Sequence, residues 1–254
     1  MKKIAVVTGA SSGMGRDFVL AVDREFRPQE IWVIARREDR LQALQEQVQA
    51  AIVPLAMDLS RDESFRRYRE ALEQEQPEIV ALVNAAGYGK FTPFTEMDLS
   101  SQLGIVELND RALTAMCHMS LPYMHPGSKI INLGSNSAWQ PVPYMSVYGA
   151  SKAYVLSFSR ALGRELKTRD IQVLCVCPGW VKTEFMDRAV HDNTVSFYDR
   201  WYESRGVVEK AMRDLRKGKT VSILGFPVRM QVRLVKLLPV RTIMNIWCRQ
   251  QKKP

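Results

Sequence analysis

The stretch VVTGASSGMG, residues 6–15, joins an apolar run to a helix-like pattern through Gly9, Gly13 and Gly15. An apolar run without polar alternation reads as a strand covered on both faces. Glycines at a strand-to-helix corner permit a tight turn, let backbone approach a pyrophosphate and pack the helix close to the strand. The exposed N–H groups of the helix start then favour an anion. The spacing is G-x-x-x-G-x-G, not the G-x-G-x-x-G of the commoner dinucleotide fingerprint.

Working outward, six more short apolar runs follow: residues 31–35, 52–57, 79–83, 129–134, 171–177 and 220–224. Helical patterns such as DRLQALQEQVQ and DESFRRYREALEQE lie between them. Strands separated by ten or more helical residues imply βαβ units. They predict an α/β fold of the Rossmann type: a doubly wound, seven-stranded parallel sheet flanked by helices on both faces. The 254 residues, 46% of them hydrophobic, are enough for one full core. No repeat, linker or low-complexity segment divides them, so residues 1–225 read as one catalytic domain and 226–254 as a tail.

The net charge of +9 is unevenly placed. Residues 205–254 hold 13 Lys and Arg against 2 acidic residues, whereas residues 1–204 are slightly acidic. No run of 18 apolar residues suggests a membrane span, and the N-terminus lacks the apolar length of a signal peptide, which points to the cytoplasm. Cys117, Cys175, Cys177 and Cys248 lack metal-site spacing and read as free thiols, Cys175 and Cys177 on one face of a buried strand. His118, His125 and His191 form no metal-like or triad-like cluster, and no metal is expected. A serine hydrolase would need G-x-S-x-G, which is missing.

Four motifs in order give a resemblance: TGASSGMG (8–15), NAAG (84–87), YGASK (148–152) and PGWVKT (178–183). With these the chain resembles the short-chain dehydrogenase/reductase family over roughly residues 3–225, in the manner of its NADP-preferring, hydroxysteroid dehydrogenase and ketoacyl reductase-like members. The resemblance implies cofactor contacts from Gly9, Ser11, Ser12, Gly13, Met14, Gly15, Asp58, Leu59, Asn84, Ala85, Ala86, Gly87, Tyr148, Lys152, Pro178, Gly179, Val181 and Thr183. Asp58 would hold the adenine, Asn84 the cofactor wall and Thr183 the nicotinamide carboxamide. The other reading of Asp58 is a helix N-cap, a role that Ser60 could fill instead.

The second strand ends in VIARRED, with Arg36 and Arg37 where an acidic residue would bind the ribose 2′-hydroxyl of NAD. A guanidinium there suits a 2′-phosphate, so NADP(H) is expected over NAD(H). Family members that prefer NADP often carry arginine at the position of Arg36, although Ser12 stands where many have a second basic residue. The other reading of Arg36 and Arg37 is the start of a solvated helix.

Tyr148 and Lys152, at i and i+4, share a helix face. A nearby ammonium favours phenolate, which predicts a tyrosine pKa lowered toward neutrality. By resemblance Tyr148 is the general acid/base, and Lys152 also binds the nicotinamide ribose. Ser135 holds the substrate oxygen, with Ser137 as fallback, and Asn109 supports a proton relay. Gly134-Ser135 replaces the family's usual serine pair.

Bulky apolar groups, Tyr88, Trp139, Tyr144, Trp180 and Phe185 among them, are expected around the substrate, beneath a lid at about residues 184–204. They suit a hydrophobic carbonyl/alcohol pair: a steroid, an acyl chain or an aromatic ketone. The competing function is a catalytically idle NADP(H)-binding regulatory or scaffold protein. Family members are usually homodimers or homotetramers. In the tail, Arg229, Arg233 and Lys236 fall at i, i+4 and i+7, and Val240, Ile243, Met244, Trp247 and Cys248 at helical spacing beyond Pro239. Two amphipathic helices broken by the proline are predicted, either lying on an anionic membrane or docked on the body or a second subunit. Nucleic acid is not an expected partner, because the body is acidic and carries no recognised motif.

Overall fold

Because helices cover both of its faces, the sheet is built from strands that are apolar throughout. The computed structural model describes residues 1–190 and 194–253. Its strands are β1 (Lys3–Thr8), β2 (Glu30–Ala35), β3 (Ala51–Ala56), β4 (Glu78–Asn84), β5 (Lys129–Leu133), β6 (Gln172–Val176), β7 (Trp180–Lys182), β8 (Trp201–Glu203) and β9 (Val221–Ser222). Seven form one sheet in the order β3-β2-β1-β4-β5-β6-β9, with every pairing parallel. The doubly wound sheet read from the sequence is therefore present. The three-residue strands β7 and β8 form a separate parallel pair that the apolar pattern did not announce.

Among the described residues ten α-helices connect and cover these strands: α1 (Gly13–Phe26), α2 (Glu38–Gln42), α3 (Asp62–Glu75), α4 (Leu99–Val106), α5 (Ala112–Ser120), α6 (Ser146–Glu165), α7 (Phe185–Ala189), α8 (Ser204–Arg216), α9 (Phe226–Val235) and α10 (Val240–Gln250). Alternate residues of β1 feed opposite cores. Ile4 and Val6 pack with Tyr68, Leu72 and Val155 from α3 and α6. Ala5 and Val7 pack with Phe18, Val22 and Met212 from α1 and α8. The order reverses between β1 and β4, and a doubly wound sheet opens its ligand crevice at the carboxyl end of that switch. The glycine corner and NAAG both lie there.

The tail folds back onto the body. Val228, Val232 and Ile243 are buried, and the Trp247 indole donates to the Pro143 carbonyl at 3.0 Å. Gln251 accepts from the backbone N–H groups of Ser196 and Phe197. His191 and part of the expected lid lie outside the described residues.

Candidate active site

At the end of β1 the chain turns through Gly9, whose φ of +67° is costly for any side chain. A Cβ there would also sit 2.7 Å from the Ala86 nitrogen. A Cβ on Gly15 would collide with the Gly9 carbonyl. The corner is thus held open for a ligand that meets bare backbone at the start of α1. Thr8 braces its far side by accepting from the Ala85 and Ala86 N–H groups at 3.1 and 3.0 Å.

This corner opens into a cavity of about 1020 Å³. One end is strongly cationic. Arg37 bonds Glu184 at 2.8 Å and the Ser11 hydroxyl at 3.1 Å, and Arg40 reaches the same Glu184 carboxylate at 2.5 Å. Among the described residues Arg36 has no hydrogen-bond or ion-pair partner. Burial together with the charges of Arg36 and Arg37 lowers the Arg188 pKa, which shows how closely these cations crowd. Burial would raise the Asp58 carboxyl, but hydrogen bonds from Ser60 and the charge of Arg36 hold it below its ordinary value. Neither Asp58 nor Ser60 caps α3, whose N-cap residue is Arg61.

At the other end α6 presents Tyr148 and Lys152, both buried. The Lys152 ammonium donates to the Leu133 carbonyl at 2.8 Å and lies 5.6 Å from the centre of the Tyr148 ring. Ser135, two residues beyond β5, accepts from the Ser137 N–H at 3.1 Å, and its hydroxyl also interacts with the Tyr148 phenol. Glycine at 134 has a local cause: a Cβ would lie 2.8 Å from the Cys175 sulfur and 3.1 Å from that of Cys177. Phe91 and Phe185 close on the Tyr148 ring, with centroids 6.0 and 5.6 Å away, and Trp180 stands edge-on to Phe91 at 5.9 Å.

A glycine cradle and a tyrosine–lysine–serine cluster thus share one crevice. The family model described as short chain dehydrogenase matches residues 3–194. The chain belongs to the short chain dehydrogenase family. Membership makes it an oxidoreductase acting on CH–OH groups with a nicotinamide dinucleotide. It is 31% identical to sulfoacetaldehyde reductase 2 of Chromohalobacter salexigens, over 73% of this chain and 75% of that one. Against the 11-beta-hydroxysteroid dehydrogenase 1A of Arabidopsis thaliana it is 28% identical over 98% of this chain and 67% of the relative. A short-chain dehydrogenase from Sphingobium yanoikuyae, solved in complex with NADPH, superposes with a TM-score of 0.79 at 27% identity, covering 96% and 95% of the two chains.

Within this family member, electrostatics depart from the sequence expectation. Burial pushes the Tyr148 phenol up to about 12, against a smaller opposing pull from Ser135, and pushes the Lys152 ammonium down to about 8. The expected lowering of Tyr148 is therefore corrected. With the ammonium 5.6 Å from the ring centre, desolvation decides the direction. Asp110 also faces Lys152: burial raises its carboxyl to about 6, and the Lys152 charge opposes the rise.

Asn109 lies in a π turn, Glu107–Arg111, between α4 and α5. It is buried and off the cavity wall. Its amide accepts from the Tyr88 N–H and donates to the Tyr88 carbonyl and the Ser151 hydroxyl, each at 3.0 Å. Ser151 in turn donates to the Tyr148 carbonyl at 2.8 Å, so Asn109 links the NAAG loop to the catalytic helix.

Three expected contacts do not line the cavity. Asn84 turns inward, donating to Asn132 at 2.9 Å and to the Cys117 sulfur, and leaves the wall to Ala85, Ala86 and Gly87. Trp139 points away beneath Arg160 and Lys236, 4.6 and 4.3 Å from its ring, and Tyr144 faces Lys253 at 5.5 Å. The other expected cofactor residues, with Tyr88, Trp180 and Phe185, do line it. Sequence reasoning missed the tail: Met230, Leu234, Ile243, Ile246 and Trp247 form a wall of the same cavity. Helical spacing had marked Ile243 and Trp247 as part of an apolar face, without saying what that face covers.

Proposed function

We propose that this enzyme uses NADP(H) to reduce a ketone, or to oxidise a secondary alcohol, on a hydrophobic substrate. One observation carries the reading. The buried Tyr148–Ser135–Lys152 group sits where the cationic, glycine-lined part of the cavity meets its aromatic part. The glycine cradle has room for a pyrophosphate against bare N–H groups, and the unpaired Arg36 guanidinium, with Arg37 beside it, suits a 2′-phosphate. Bound there, the dinucleotide supplies the hydride and takes it back in the reverse direction.

The chain's own residues do the rest. With a pKa near 12, Tyr148 is a phenol throughout the neutral range and holds a proton at its hydroxyl for the nascent alkoxide. Ser135 donates to the same substrate oxygen as negative charge develops on it. The Lys152 ammonium stabilises the tyrosinate left behind, and Asn109 keeps α6 in place through Ser151. Phe91, Trp180, Phe185 and the tail residues exclude water and favour an apolar carbonyl over a small polar one. The relatives' substrates, a sulfonated aldehyde and a steroid by name, do not choose between these. A cofactor-binding scaffold would need no such proton-holding group, and the unspent Tyr148 favours catalysis. We also read the chain as a homodimer or homotetramer, as its family resemblance implies.

Following NADPH absorbance across a panel of steroids, acyl thioesters and ketones tests the reading. Turnover should appear with bulky apolar ketones. Turnover restricted to small polar aldehydes would refute the substrate assignment.

A further inference from the structure

The cavity has an apolar mouth, and the tail helices that frame it carry many cations. Leu234, Leu238 and Ile246 line the cavity yet are 52%, 42% and 44% exposed, so they form its rim. Beside them, at the bend between α9 and α10, Leu237 and Val240 are 80% and 53% exposed and stay off the cavity wall. Water alone does not account for such a cluster, since isolated exposed apolar groups are common but a contiguous group around a pocket mouth is not.

The charges around it name the occupant. From residue 215 onward the sequence has ten Lys and Arg and no Asp or Glu. Arg229, Arg233, Arg241, Arg249 and Lys252 are exposed, and among the described residues none has an ion-pair or side-chain hydrogen-bond partner. A surface of one sign, bearing protruding leucines at a proline-marked bend, is complementary to anionic headgroups above acyl chains. No described helix is long and apolar enough to cross a membrane, so the contact is peripheral.

We infer that the outer faces of α9 and α10 dock on an anionic lipid surface, with the cavity mouth turned toward the bilayer, so that apolar substrate passes from lipid into the site. This rests on the hydrophobic-substrate reading above. Leu237 and Val240 would enter the acyl boundary, the five unpaired cations would hold the headgroups, and the rim of Leu234, Leu238 and Ile246 would form the portal.

Co-sedimentation of the full chain with vesicles of mixed phosphatidylserine and phosphatidylcholine, against pure phosphatidylcholine, tests the surface independently of turnover. Each cation near an anionic surface strengthens binding about five-fold, so Arg233→Glu with Arg241→Glu should weaken it at least about 25-fold. Leu237→Glu with Val240→Glu should abolish it while leaving NADPH turnover of a water-soluble ketone unchanged. An environment-sensitive fluorophore on Leu238→Cys, in a Cys248→Ser background, should shift to the blue on the mixed vesicles, and one on Glu73→Cys should not. Wild-type chain that ignores the mixed vesicles overturns the inference, as does equal binding by the Leu237/Val240 variant. A change of oligomeric state in that variant without lipid would assign the face to a second copy instead, and matching fluorophore responses would overturn the orientation. Failure of NADPH turnover with intact vesicle binding would strike the functional reading and leave the surface standing.

Discussion

Replacing Lys152 by methionine should make the protein more stable at neutral pH while removing its activity. Burial lowers the Lys152 pKa from 10.5 to about 8, and that difference corresponds to about 3 kcal/mol against keeping the buried amine charged. The sign follows from proton counting. Below about pH 8 the lysine is protonated in both folded and unfolded chains, and the full cost is present. Between about pH 8 and 10.5 the unfolded chain binds more protons, so stability rises with pH as the folded amine becomes neutral. Methionine has similar length and no charge, but it leaves the Leu133 carbonyl without its 2.8 Å donor, a loss of about 1 to 2 kcal/mol. The variant should therefore gain about 1 to 2 kcal/mol at about pH 7 and lose the advantage near pH 10, a swing of about 2 to 3 kcal/mol. Urea unfolding of both proteins at these two pH values measures the swing. A stability difference that stays constant with pH would refute the argument, because it would mean that Lys152 does not titrate near 8 in the fold.

Arg36→Ala should weaken NADPH binding about 10- to 100-fold, the loss of one charge-assisted contact, and leave NADH almost unchanged; titration of nucleotide fluorescence reads both, and equal losses would remove the 2′-phosphate role. Glu184→Ala frees Arg37 and Arg40 from an exposed carboxylate, so NADPH should bind about two- to five-fold tighter with NADH unaffected. Weaker NADPH binding in that variant would mean that Glu184 positions the arginines instead of competing for them.

How much of this was legible in the sequence depended on how local the determining physics was. All seven strands of the main sheet appeared as apolar runs because a parallel sheet covered on both faces needs no alternation, whereas their order came only from the fold. The strand pair at Trp180–Lys182 and Trp201–Glu203 did not appear, since three residues cannot establish a period. Motif spacing placed Tyr148, Lys152, Ser135 and Arg36 at one cavity, but side-chain direction escaped it. Trp139 is near the site in sequence yet turns toward Arg160 and Lys236, and Asn84 spends its amide on Asn132. The Tyr148 pKa was misjudged for a related reason: i to i+4 spacing gives proximity, whereas burial sets the sign. The tail showed its amphipathic faces in sequence, and only folding revealed that one of them walls the cavity.

The Tyr148 proton is the centre of the proposed chemistry. Its test is single-turnover oxidation of NADPH by a bulky apolar ketone, compared between wild type and Tyr148→Phe, with NADPH affinity measured alongside. NADPH affinity should be unchanged and the hydride-transfer rate lower by about 10²- to 10⁴-fold in the phenylalanine variant. A variant that binds NADPH normally and still transfers hydride within a few-fold of wild type would contradict it.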